Sequence, residues 1–225
     1  MTAIKKEVLS FLKKLKKNNN REWFEVNKPD FKRIEAEVKH FGQQLKESLE
    51  ATEHIDGVKL FRVYRDVRFS KDKTPYKTHF GISMHREKPR HRGGYFVQLK
   101  PNENFAAVGF WDPNKEDLLR IRKELELDSS ELRELIDESN FKKTWGKLEG
   151  NELKTSPKGF SKEDPNIDLI RKKMFVFRKR YGDEEVLSPT FLKQLAQDFR
   201  TVRPFLDYMS SVLTTDLNGV SLLEN

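Results

Sequence analysis

No cysteine occurs in the 225-residue chain, which excludes a disulfide framework, a thiol nucleophile and any cysteine metal site. No apolar run reaches the length a membrane span needs, and the N-terminus lacks the apolar core of a secretion signal. The expectation from these absences is a cytoplasmic protein that engages no membrane. The eleven glycines form no Walker loop, dinucleotide fingerprint or nucleophile elbow, so no cofactor is expected. The five histidines lack metal-ligand spacing. His79 and His85, six apart on an expected strand, would stand about 20 Å from each other. His91 falls in an expected loop, and His40 and His54 have no ligand pattern around them. No metal site is expected.

What the sequence does have is positive charge in one place. Lys and Arg number 44 against 36 acids, a net charge of +8. Between Arg62 and Arg92 stand ten of the basic residues and only three acids, so this stretch alone carries an excess of seven. The remainder is nearly neutral in sum. A chain with 11% aromatic residues has the means to form a core, and its length suits a single domain over residues 1–225.

Hydrophobic spacing sketches the fold. Ile4, Val8, Phe11, Leu12 and Leu15 recur at helical intervals until Asn18-Asn19-Asn20 ends the pattern. A short helical turn is expected over residues 21–27. A second long helix, opened by Pro29, runs to about Glu50 with Phe31, Ile34, Val38, Phe41, Leu45 and Leu49 on one face. Asp56-Gly57 reads as the turn that follows. Residues 61–69 read as a strand with Phe61, Val63, Arg65, Val67 and Phe69 on one face. Further strands are expected at residues 80–85 and in a hairpin over residues 95–111 turned at Pro101-Asn102-Glu103-Asn104.

The C-terminal half alternates charge. A helix capped at Asp112-Pro113 runs to about Leu125, and Asp128-Ser129-Ser130-Glu131 resembles a capping box for another. These helices hold nine acids against five bases over residues 115–138, whereas residues 141–180 hold twelve bases against five acids. A loop over residues 155–160 precedes a short helix from Asp164-Pro165, and Met174-Phe175-Val176-Phe177 reads as a buried strand. A last helix starts at Ser188-Pro189 and is kinked or restarted at Pro204. The class is α+β: a central, mainly antiparallel sheet with helices packed against it, an N-terminal helix pair and a C-terminal helix.

The candidate site is the basic strand and the loop after it. Arg65 sits in an apolar row, and a guanidinium there needs a partner, because it keeps its charge. That partner is either an acid of the same fold or an external anion. Ser70-Lys71-Asp72-Lys73-Thr74-Pro75-Tyr76-Lys77 is a loop by composition, and its cations and hydroxyls suit a rim for phosphate or carboxylate. The anion-binding candidates are Arg62, Arg65, Arg68, Ser70, Lys71, Lys73, Tyr76 and Lys77, joined by Lys158 from the second basic stretch.

Two readings from different classes follow. In one, the basic surface binds an anionic small molecule or nucleic acid, with Tyr64, Tyr76 and Tyr95 as stacking platforms. In the other, an enzyme clamps a phosphorylated or carboxylated substrate with Arg65, Arg68 and Lys73 and uses Asp66, Asp72 or His79 as acid or base. The bland alternative is a set of charges that pair only among themselves.

Several stretches together resemble a known family: Asn18-Asn19 with Trp23-Phe24 and Asn27, the run Arg65 to Lys77, Gly94-Tyr95 to Leu99, and Ser156-Pro157-Lys158-Gly159-Phe160 with Asp164-Pro165. The chain is similar in these to the domain of unknown function 2461 family of conserved hypothetical proteins. The likeness extends over nearly the whole chain, and it supplies no reaction to carry over.

Overall fold

A computed structural model describes residues 3–223. Helix α1 (Lys6–Lys17) buries Val8, Leu9, Phe11, Leu12 and Leu15 along one face, and its final turn gathers Lys14, Lys16 and Lys17, where cations oppose the negative end of the helix dipole. Asn20 caps the short α2 (Arg21–Val26) by accepting the Trp23 N–H at 2.9 Å. Helix α3 (Lys28–Leu49) places Pro29 in its first turn and buries the whole expected stripe from Phe31 to Leu49.

Five strands form one antiparallel sheet, in which each strand lies beside its sequence neighbour: β1 (Ile55–Leu60), β2 (Phe80–Arg86), β3 (Gly94–Leu99), β4 (Asn104–Phe110) and β5 (Phe175–Tyr181). This is the α+β architecture that the alternating and helical spacings imply. The remaining helices are α4 (Lys115–Leu127), α5 (Ser130–Asp137), α6 (Ser139–Trp145), α7 (Ile167–Ile170), α8 (Asp183–Leu187), α9 (Phe191–Thr201) and α10 (Arg203–Thr214). No helix among the described residues is long and apolar enough to cross a membrane.

The chain divides into two compact units. The first comprises residues up to Met84 with Phe96–Ala106 and Arg180–Gln197; the second comprises His85–Tyr95, Ala107–Lys179 and Asp198 onward. In the first unit, rings carry the core. Phe31 stacks on Phe80 at 6.0 Å, Phe41 on Phe191 at 5.9 Å, and Phe24 on Tyr76 at 4.0 Å. Gly42 lets α3 close on the sheet, since a Cβ there would meet Val58 and Ile82 at 3.0 and 3.1 Å.

The second unit is organised around Trp145. Its ring lies parallel to Phe199, and its N–H donates to the Asp198 carbonyl at 3.1 Å and the Thr201 hydroxyl at 2.9 Å. Arg86 is buried there, paired with Asp207 and donating to Ser210 at 3.3 Å.

Several boundaries differ from the sequence reading. Asp56-Gly57 lies inside β1 rather than in a turn. Residues 61–69 are not a strand: only Tyr64 forms a bridge, to Tyr76, and Phe69 is 97% exposed. The alternation was real in the sequence, but side chains of this segment hydrogen-bond its own backbone and take the place of a ladder. Asn114, not Asp112, caps α4, by accepting the Asp117 N–H at 2.8 Å. The capping box at residues 128–131 does not form; Asp128 instead accepts the Ser130 N–H. Helices α6 and α8 were not anticipated, and α10 restarts with Pro204 in its first turn.

Candidate functional site

The basic segment of residues 62–79 lies wholly in the first unit. A narrow antiparallel ribbon closes its base: Arg65 donates its N–H to the Pro75 carbonyl at 2.9 Å and Lys77 to the Val63 carbonyl at 2.7 Å, around the Tyr64–Tyr76 bridge. Above that base, side chains hold the loop. The Asp72 carboxylate accepts the Thr74 N–H at 2.9 Å, the Thr74 hydroxyl at 2.8 Å and the Arg65 guanidinium at 2.5 Å. These three donors, Thr74 first, hold the Asp72 carboxyl down to a pKa of about 2.

The partner of Arg65 is therefore internal. Besides Asp72, its guanidinium donates to the Thr74 carbonyl at 3.1 Å, to the Thr74 hydroxyl, and to Ser70 Oγ at 3.4 Å. Arg68 grips Asp66 through two bonds of 3.0 and 2.7 Å, which lower the pKa of that carboxyl. The Lys73 ammonium donates to the carbonyls of Val67 and Arg68 at 3.0 and 3.4 Å. Arg65, Arg68, Ser70, Lys73, Asp66 and Asp72 thus form the loop's own framework. Neither carboxylate holds a proton to give at neutral pH, and the Thr74 hydroxyl faces too weak a base to be activated.

The other expected residues divide. Arg62 and Lys71 are exposed and make no hydrogen bond or ion pair with any described residue. Tyr76 is 3% exposed, its ring stacked in the core on Phe24, and Tyr95 is fully buried. Both are therefore unavailable as stacking platforms. Lys158 is exposed in a loop of the second unit.

Beside the loop framework opens a cleft of about 330 Å³. Arg65, Asp72 and Thr74 line it together with Lys16, Asn19, Tyr76, Lys77, Thr78 and His79. Three cations against one acid give its lining a net charge of +2 with His79 neutral. The Lys16 side chain makes no ion pair or hydrogen bond among the described residues, and its charge is one of those that lower the pKa of Glu103. Among the described residues the Lys77 ammonium makes no ion pair or hydrogen bond, and it lies over the Phe61 ring, 5.6 Å from its centroid. Burial, and then the charge of Arg62, lower the Lys77 pKa. Burial also lowers the His79 pKa, aided by Lys77 and Lys100 and opposed by Glu103, so its imidazole is neutral at pH 7.

Lys16, Asn19 and Thr78 were not singled out as binding residues by the sequence reading. Lys16 is one of several lysines on a solvated helix face, and nothing local to it signals a site some sixty residues further along. Asn19 carried a signal as the end of α1 and as part of the Asn18-Asn19 stretch of the family resemblance, neither of which marks a binding residue. Its amide in fact fastens α1 to the basic loop, accepting the Tyr76 N–H at 3.1 Å and donating to the Tyr76 carbonyl at 2.9 Å.

Comparison with curated proteins and with solved structures gave no match. A family model described as Conserved hypothetical protein (DUF2461) matches residues 7–208, nearly the whole span in which these features lie, and the chain belongs to that family.

Proposed function

We propose that the cleft between the end of α1 and the basic loop binds a small ligand carrying a phosphate or carboxylate group. The observation that carries this reading is the pair Lys16 and Lys77: two ammonium groups that form no ion pair with a carboxylate among the described residues line a cleft whose one acid, Asp72, already accepts Arg65 and Thr74. Removing part of a lysine's hydration without an ion partner is costly. An anion in the cleft would relieve that cost for Lys77. Thr78 and His79, which make no side-chain hydrogen bond among the described residues, supply further polar groups. The volume lies at the small-molecule end of binding sites.

A second reading, turnover of the bound ligand, is favoured by one observation. His79 is the one group lining the cleft whose ordinary pKa is near neutrality, and its neutral imidazole could accept a proton from a ligand hydroxyl or from water.

A thermal-shift screen with sulfate, phosphate, citrate and sugar phosphates tests the binding claim. A ligand at a hundred times its dissociation constant stabilises by about 2.7 kcal/mol, roughly 5–10 °C for a chain of this size. The double variant Lys16→Ala/Lys77→Ala should keep its circular dichroism spectrum and lose the shift. An undiminished shift in the folded double variant would put the ligand elsewhere.

A further inference from the structure

We propose that the tip of the basic loop is a stacking ledge for single-stranded nucleic acid, with Phe69 as the platform. Phe69 is 97% exposed, the most exposed of the large apolar side chains among the described residues. A lone exposed apolar residue is ordinary. This one is set apart by the bonding that fixes its position.

Arg68 is clamped by Asp66 through its side chain, and its N–H donates to the same carboxylate at 3.2 Å. Lys73 ties down the carbonyls of Val67 and Arg68, and Ser70 donates to the Val67 carbonyl at 3.3 Å. The backbone on either side of Phe69 is thus held before any partner arrives. A ring carried on backbone that is already ordered spares the cost of ordering that backbone on docking.

The chemistry around the ring selects the partner. The Arg68 guanidinium lies 6.0 Å from the Phe69 ring centroid, which places a planar cation beside a planar aromatic group. Lys71 and Arg62, both exposed and making no ion pair or hydrogen bond among the described residues, add charge for phosphates. Bases stack on aromatic and guanidinium planes while cations follow the backbone, and such contacts tolerate any sequence. An anionic lipid surface would also meet the charge, but one inserted side chain anchors poorly, so nucleic acid is the better fit. Phe69, Arg68, Lys71 and Arg62 do not line the cleft, so the ledge does not depend on ligand binding there.

The test is fluorescence anisotropy of labelled oligo-dT and oligo-U with the full chain. Binding should weaken with salt at a log–log slope near −2, as expected for about three neutralised phosphates on a single strand. Phe69→Ala should lower affinity by roughly 5- to 150-fold, the range that base–aromatic stacking spans, with an unchanged melting temperature. Phe69→Trp should retain binding; Phe69→Leu, apolar but not planar, should lose it. The Lys16→Ala/Lys77→Ala variant should bind oligonucleotide like the wild type, which separates this result from the fate of the cleft. The proposal is overturned by either of two outcomes: full binding by Phe69→Ala, or no oligonucleotide binding, in which case Phe69-dependent binding to phosphatidylserine vesicles would assign the ring to a lipid surface instead.

Discussion

Asn19 and Tyr76 are joined as neighbouring strands are: the Asn19 amide accepts the Tyr76 N–H at 3.1 Å and donates to the Tyr76 carbonyl at 2.9 Å. One side chain at the end of α1 therefore stands in for a backbone partner and sets the basic loop against the helix. It also brings Lys16, one turn earlier, to the cleft that Lys77 lines.

Replacing Asn19 by Ala should leave two partly buried backbone groups without partners. At about 1 kcal/mol for each bond, the loss is about 2 kcal/mol, or roughly 4–8 °C in melting temperature for a chain of this size. Asn19→Asp should do no better, because a carboxylate can accept the N–H but would face the Tyr76 carbonyl with a second acceptor. Calorimetry on the two variants checks this; a stable Asp variant would show that the donated bond contributes little.

The Asp72 hub should make the loop acid-labile in a defined window. Its carboxyl is held at about 2 in the folded chain against an ordinary value of 3.8. A depressed carboxyl pKa contributes stability that is fully present above the ordinary value and is lost as pH falls through the folded one. The melting-temperature gap between the wild type and Asp72→Asn should therefore be constant above about pH 4 and close toward about pH 2. A gap that stayed open at the acid end would mean that Asp72 acts through shape rather than charge.

Much of this fold was legible because apolar spacing is a local signal. The apolar stripes of α1 and α3 each lie within one element and were read with residues that the fold buries, and the strands β2, β3 and β4 were placed; β2 and β4 are buried on both faces, which a reading by alternation does not convey. Residues 61–69 misled for the same reason. A period of two is necessary for a half-buried strand but not sufficient, and nothing in Val63-Tyr64-Arg65 announces that Asp72 and Thr74 will claim Arg65. The need of Arg65 for a partner was readable from its type; which acid or anion would answer was not. The cleft was the least legible part, because it depends on where α1 ends relative to a loop about sixty residues later, and Lys16 looks like Lys13, Lys14 and Lys17 in sequence.

Lys77 should trade binding against stability. Burial and Arg62 lower its pKa, which means that folding disfavours its charged form and that the ammonium is a burden at neutral pH. Lys77→Met keeps the length of the stem and a contact to the Phe61 ring while removing the charge. Its melting temperature should equal or slightly exceed that of the wild type, and sulfate or phosphate should no longer raise it. Arg65→Met is the contrast, since it strips the bonds to Asp72, Thr74 and Ser70 and should lower the melting temperature with or without anion.

Ligand affinity should depend on pH through His79. Its pKa lies below the ordinary 6.5, chiefly through burial and then through Lys77. An anion beside the imidazole favours the protonated form and raises that pKa, so binding takes up a proton and strengthens as pH falls through the window between the two values. Sulfate is the suitable probe, because it keeps both charges throughout this range whereas phosphate titrates within it. Each unit by which the anion raises the His79 pKa should appear as about tenfold tighter binding on the acid side. Calorimetric titrations at about pH 8 and about pH 5.5, on either side of the ordinary histidine value, should show this for the wild type and a flat profile for His79→Gln. Equal pH dependence in both proteins would remove His79 from the binding site and leave Lys16 and Lys77 to account for the anion alone.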